Sequence, residues 1–152
     1  MRLAQYPKGL LPGDAVAVEV VGGPVAQVLR THFGVVSRVD ARGRVWVVSS
    51  SRRTGACVEE RLGDFAQGGD VVRADLPRLR PADEVVRRAR ALLGRPWDLL
   101  EANGEHVVRH ALGLGWRSLQ VERLGGRLAH GARPVVAPGP APTPRPLARR
   151  RG

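Results

Sequence analysis

An α+β fold is predicted, with an antiparallel sheet of about five strands packed against two or three helices. Three observations predict it. Between residues 14 and 73, valines alternate with small or polar residues in short runs, the period of half-buried strands. Gly, Pro, Asp and Ser clusters of turn size separate those runs. Beyond Pro81 the apolar residues recur at i, i+3, i+4 and i+7, the stripe of an amphipathic helix.

Taken in order, residues 1–12 form an irregular lead-in, because Pro7, Gly9 and Pro12 break any helix. Asp14 to Val21 reads as a strand, and Gly22-Gly23-Pro24 turns the chain. His32 to Val39 and Arg44 to Ser50 are strands joined by the hairpin turn Asp40-Ala41-Arg42-Gly43. After a polar loop at Ser51 to Gly55 come a strand at Ala56 to Arg61, a turn at Leu62-Gly63-Asp64-Phe65, and a last strand at Asp70 to Arg73. A helix starts at Pro81, with Asp83 and Glu84 at its positive end. Val85, Val86, Ala89, Leu92 and Leu93 make its buried stripe, while Asp83–Arg87 and Glu84–Arg88 are i,i+4 pairs. Gly94 ends it. Asn103 is a natural N-cap for the next helix, whose apolar face is Val107, Val108, Ala111 and Leu112. A final helix runs from about Arg117 to Ala129.

The 152 residues are read as one domain over 1–131 and a disordered Pro/Arg-rich tail over 132–152. Of the formal net charge of +11, the tail carries +5 and the body +6. Lys8 is the single lysine. Such Arg, Ala, Gly and Pro usage fits a GC-rich bacterial or phage genome, an explanation that competes with selection for binding anions. One cysteine, Cys57, excludes an intrachain disulfide and a cysteine-rich metal cage. No apolar run approaches the roughly 18 residues of a transmembrane segment, so a soluble, cytoplasmic protein is expected.

Two stretches carry the chemistry. Thr31-His32-Phe33-Gly34-Val35-Val36 precedes Asn103-Gly104-Glu105-His106-Val107-Val108. Together they resemble the two active-site boxes of the lecithin retinol acyltransferase-like family, within the NlpC-type, papain-like cysteine enzymes. Further likenesses are the Gly13-Asp14 entry to the first strand, Gly55-Ala56-Cys57-Val58-Glu59-Glu60, the approach Gly94-Arg95-Pro96-Trp97-Asp98-Leu99-Leu100, and Ser118-Leu119-Gln120-Val121. The resemblance covers residues 13–121. It implies a helix-start cysteine that attacks an acyl ester or amide, a histidine base on the adjacent strand, and a second polar residue orienting that histidine. Here the nucleophile position is Gly104, the base position is His32, and the orienting position falls at Ser49, where the animal enzymes have histidine.

Other residues fit that chemistry less well. Cys57, flanked by Ala56 and Val58, reads as a core residue, and Ser118 as a helix cap. His106 and His110 share a helix face beside Glu105, yet lack the His-Glu-x-x-His order of a zinc protease. No metal or other cofactor is expected. Asn103, Glu105 and His106 are binding-site candidates, with Asn103 capping the helix and the other two tying its start to the strand.

Three functions follow. The first is a degenerate relative that retains its cleft as a binding module for an acyl, lipid or peptide group, the glycine opening space beside helix N–H donors that suit a carboxylate or phosphate. The second is an active acyltransferase or hydrolase using His32 with a non-cysteine nucleophile. The third is a weak binder of nucleic acid or anionic lipid through the Arg-rich tail.

Overall fold

In the computed structural model, residues 2–20 and 30–129 are described, side chains of 127–129 excepted. The expected turn at 22–24 and the tail at 132–152 lie outside them. The α+β expectation holds. Strands β1 (Ala15–Glu19), β2 (Thr31–Val39), β3 (Val45–Ser50), β4 (Cys57–Arg61) and β5 (Val71–Arg73) form one sheet. It is antiparallel throughout, in the order β4-β3-β2-β1-β5. Helices α1 (Leu62–Ala66), α2 (Ala82–Arg90), α3 (Gly104–Leu112) and α4 (Leu119–Ala129) complete the described chain.

The expected turn at Leu62–Phe65 is thus the short helix α1, which brings the helices to four among the described residues. Leu62, Phe65 and Ala66 are buried on one side of it, and that burial stabilises a helix too short to persist alone.

Cross-strand partners share a face, so register sorts the side chains into two layers. One face carries Ala15, Val35, Val48 and Cys57 against Val85 and Ala89 of α2 and Val107, Val108 and Ala111 of α3. The opposite face carries Val16, Val18, Val36 and Val47 beneath Leu62, Phe65 and Ala66. With so few aromatics, the interior is filled mainly by β-branched and small side chains.

Two corrections concern α2. Leu93 lies beyond the helix end and is 43% exposed, whereas Val85 and Ala89 are fully buried. The expected i,i+4 pairs are replaced by Arg80–Glu84 at 3.7 Å, and Arg88 instead donates to the His110 carbonyl. That bond ties α2 to α3.

Gly34 is required where Phe65 crosses the sheet. A Cβ there would overlap Val47 Cγ1 and stand 3.0 Å from Phe65 Cε2. Gly34→Ala is expected to cost about 1–3 kcal/mol through overpacking, measured by denaturant unfolding. A neutral result would mean that Phe65 and Val47 yield freely.

Candidate functional site

The Asn103–His106 box acts first as a folding device. Asn103 takes the N-cap of α3, its Oδ1 accepting from the backbone N–H of Glu105 at 2.9 Å and of His106 at 3.3 Å. His106 Nδ1 accepts in return from the Asn103 N–H at 3.2 Å, closing a reciprocal capping box with histidine in the place usual for Glu or Gln. Asn103 Nδ2 donates to the Leu99 carbonyl and to Ser118 Oγ.

Glu105 reaches the next helix. Its carboxylate accepts from Ser118 Oγ at 2.7 Å, from the Leu119 and Gln120 N–H groups at 3.0 and 3.1 Å, and from Arg109 Nε at 3.2 Å. Burial would raise its pKa, but the hydroxyl, the two N–H groups and the guanidinium outweigh burial and hold it below the usual carboxylate value. The start of α4 is therefore capped from outside by an anion, and Ser118 Oγ also accepts from Val121 N–H. The expected tie between the α3 start and the strand is instead a tie between α3 and α4. Gln120 makes the link to the strand, exchanging two bonds with the Thr31 backbone at 3.0 Å each.

His32 sits on β2 opposite Val18, with its ring tilted on Phe65 at 4.6 Å between centroids. Burial, and then the positive charge of Arg53, push its pKa down from 6.5 to about 4. It is neutral at physiological pH. Its Nε2 is enclosed without a hydrogen-bond partner among the described residues. Ser49 occupies the same face of the sheet, opposite Gly34 rather than opposite His32. Its Oγ is also enclosed and unpartnered among those residues, so Ser49 does not orient the imidazole through a hydrogen bond.

Gly104 faces His32. A Cβ added to Gly104 would stand 3.3 Å from His32 Nδ1, 3.2 Å from the Ser50 carbonyl and 2.8 Å from the Phe33 carbonyl. The two positions are thus brought together as expected, and a side chain of one or two atoms at 104 would meet the imidazole. The expected open space beside the glycine is not there, because the helix start has settled against a backbone carbonyl. Three of the N–H groups at the helix start are not free for an anion either. Those of Glu105 and His106 are taken by Asn103 Oδ1, and that of Val107 by the Asn103 carbonyl.

Space for a ligand lies alongside. His32, Asn103, Gly104 and Glu105 border a cavity of about 800 Å³ whose apolar wall includes Val18, Phe65 and Trp97, with Arg52 and Arg53 also lining it. A volume of this size falls in the range of small-molecule pockets. Sequence reasoning did not single out Trp97, Arg53 or Gln120 as parts of this site. Arg53 was detectable only as part of a polar loop.

Cys57 is 2% exposed, and burial pushes its thiol up to about 11, so it is no substitute nucleophile. His106 and His110 pack against Trp116 at 5.3 and 5.7 Å. Among the described residues no group of three or more His, Cys, Asp or Glu side chains is arranged to hold a metal ion, and no helix is long and apolar enough to cross a membrane.

Two measurements follow from this geometry. His32 has a folded pKa of about 4 against 6.5, so below pH 6.5 the unfolded chain binds a proton that the folded chain refuses. Stability is lost as pH falls through that window and is untouched above it. The loss between pH 7 and 4.5 is about 2.5 kcal/mol, and unfolding of His32→Gln should lack that component. Glu105→Ala should lose about 3 kcal/mol and raise amide exchange at the start of α4, whereas unchanged exchange at Leu119 and Gln120 would contradict the capping role.

No protein-family model matches the sequence, and a search of the curated proteins finds no match.

Proposed function

We propose that the chain is a catalytically silent relative of the lecithin retinol acyltransferase-like enzymes, whose cleft binds an acyl, lipid or peptide group. One observation carries the reading: Gly104 opens a helix directly against His32 Nδ1 at the border of the large cavity. A helix start, a strand imidazole and a cleft are the parts a thiol acyltransferase needs, and the side chain that would attack is the part missing. The apolar wall of Val18, Phe65 and Trp97 supports an apolar ligand group, and Arg52 supports a polar or anionic end.

Activation of water by His32 is less well supported. A base whose conjugate acid has a pKa of about 4 removes a proton from water poorly at neutral pH. The third reading, weak contact of the 132–152 tail with nucleic acid or anionic lipid, is supported by that segment's charge of +5 alone.

The test is acyl-ester turnover on short-chain phospholipid and activated esters, with intact-mass detection of adducts. Wild type is expected to be silent while binding a dansylated acyl probe with quenching of Trp97. Gly104→Cys is expected to form a covalent acyl adduct, after the helix start shifts by a few tenths of an ångström from the Phe33 carbonyl. Turnover by the wild type that disappears in His32→Ala would overturn the reading. Absence of probe binding would leave the cleft without the proposed occupant and count against it equally.

A further inference from the structure

Far from the cleft, a second feature is built into the sheet. The β2–β3 register slips between Val36 and Arg38, so that Ser37 is an extra residue in β2. Its hydroxyl is turned inward, donating to the Trp46 carbonyl at 3.3 Å. Bulges of this kind re-aim the side chain that follows. Here the result is that Arg38 pairs with Trp46, and Trp46 in turn pairs with Arg61 on β4. An unbulged strand would set Ser37 opposite Trp46 and turn Arg38 to the other face. The three residues form one row across three strands, with the Arg38 guanidinium 4.5 Å and the Arg61 guanidinium 5.7 Å from the indole centroid.

Stacking on an aromatic face orients a guanidinium without consuming its N–H donors. Both arginines are exposed, and neither is among the arginines that form ion pairs with carboxylates in the described residues. Of the carboxylates at this corner, Asp40 is held by Arg44 and Glu59 by Arg90 at 2.8 Å, while Asp64, which borders the same groove as Arg44 and Arg61, forms no ion pair among the described residues. Arg42, exposed in the hairpin turn, adds a further positive charge. The corner therefore presents an excess of cationic, preoriented forks on a rigid sheet.

We propose that the Arg38–Trp46–Arg61 row is a docking surface for the phosphodiester backbone of a nucleic acid. Planar guanidinium forks match phosphate oxygens in pairs, and contacts of this type position a chain without reading its sequence. An anionic membrane is a poorer fit. Membrane-surface binding adds apolar insertion to charge, yet none of the exposed large hydrophobic side chains among the described residues belongs to β2, β3 or β4. Trp46 itself lies under the arginines. The inference does not depend on the cleft or on what the cleft binds.

The experiment is fluorescence anisotropy of a labelled, mixed-sequence single-stranded oligonucleotide titrated with the full chain over a range of salt. The double variant Arg38→Gln/Arg61→Gln is expected to weaken binding at least tenfold at low salt. It should also flatten the log–log salt dependence by about 1.4, while thermal melting stays unchanged. Because the tail is present in both proteins, its contribution cancels in that difference. Arg38→Lys/Arg61→Lys keeps the charge but loses the planar fork, and should fall between the two. An unchanged slope in the glutamine variant would overturn the proposal. So would an equal loss in a control Arg78→Gln/Arg123→Gln, which would point to a diffuse field. Loss of phosphatidylserine-vesicle binding with intact oligonucleotide binding would overturn it as well.

Discussion

The Glu105 carboxylate accepts hydrogen bonds from a hydroxyl, two backbone N–H groups and a guanidinium, and it does so while buried. A buried carboxylate is costly unless its lone pairs are met, so these partners must all be in place when α3 docks on the sheet. Asn103 and His106 complete the arrangement from the other side of the helix start. The helical side of the cleft inherits its position from this knot. The Gly104 backbone is placed by the cap, and α4 is started by the carboxylate. Gln120 then fastens α4 to the start of β2, beside His32.

The cleft and the sheet corner use positive charge in opposite ways. At the cleft, Arg53 is tied to Glu60 at 2.6 Å and acts at a distance, adding to the burial that keeps His32 uncharged. At the corner, Arg38 and Arg61 have an aromatic ring for a neighbour and no ion pair with a carboxylate among the described residues. A neutral, partly apolar cavity and a cationic ridge on one small domain suit two different classes of ligand.

The sheet was legible because valine alternation reports burial directly, and each strand expected within the described residues is present. The pairing of Gly104 with His32 was also legible, since a box and its partner strand have a recognisable order. What the sequence hid were effects of tertiary contact. Leu62, Phe65 and Ala66 stand at i, i+3 and i+4, but a single turn is too short to separate from a loop by pattern, and its helix is held by the packing of Phe65 over Gly34. Glu105 reads as one end of a local motif, yet its partners lie on the following helix. The closure of the helix start on the Phe33 carbonyl follows from the absence of a side chain, and absence has no periodicity to read. The bulge at Ser37 likewise leaves the alternation nearly intact while reversing the side on which Arg38 stands.

Enclosure of Cys57 between the sheet and α2 has a practical corollary. The thiol is screened by packing and is hardly ionised at neutral pH. Toward alkylating reagents the folded chain behaves as though it contained no cysteine. A single cysteine placed on the ridge or at the mouth of the cavity would then be the unique attachment point for a dye or spin label, with no native residue to remove first.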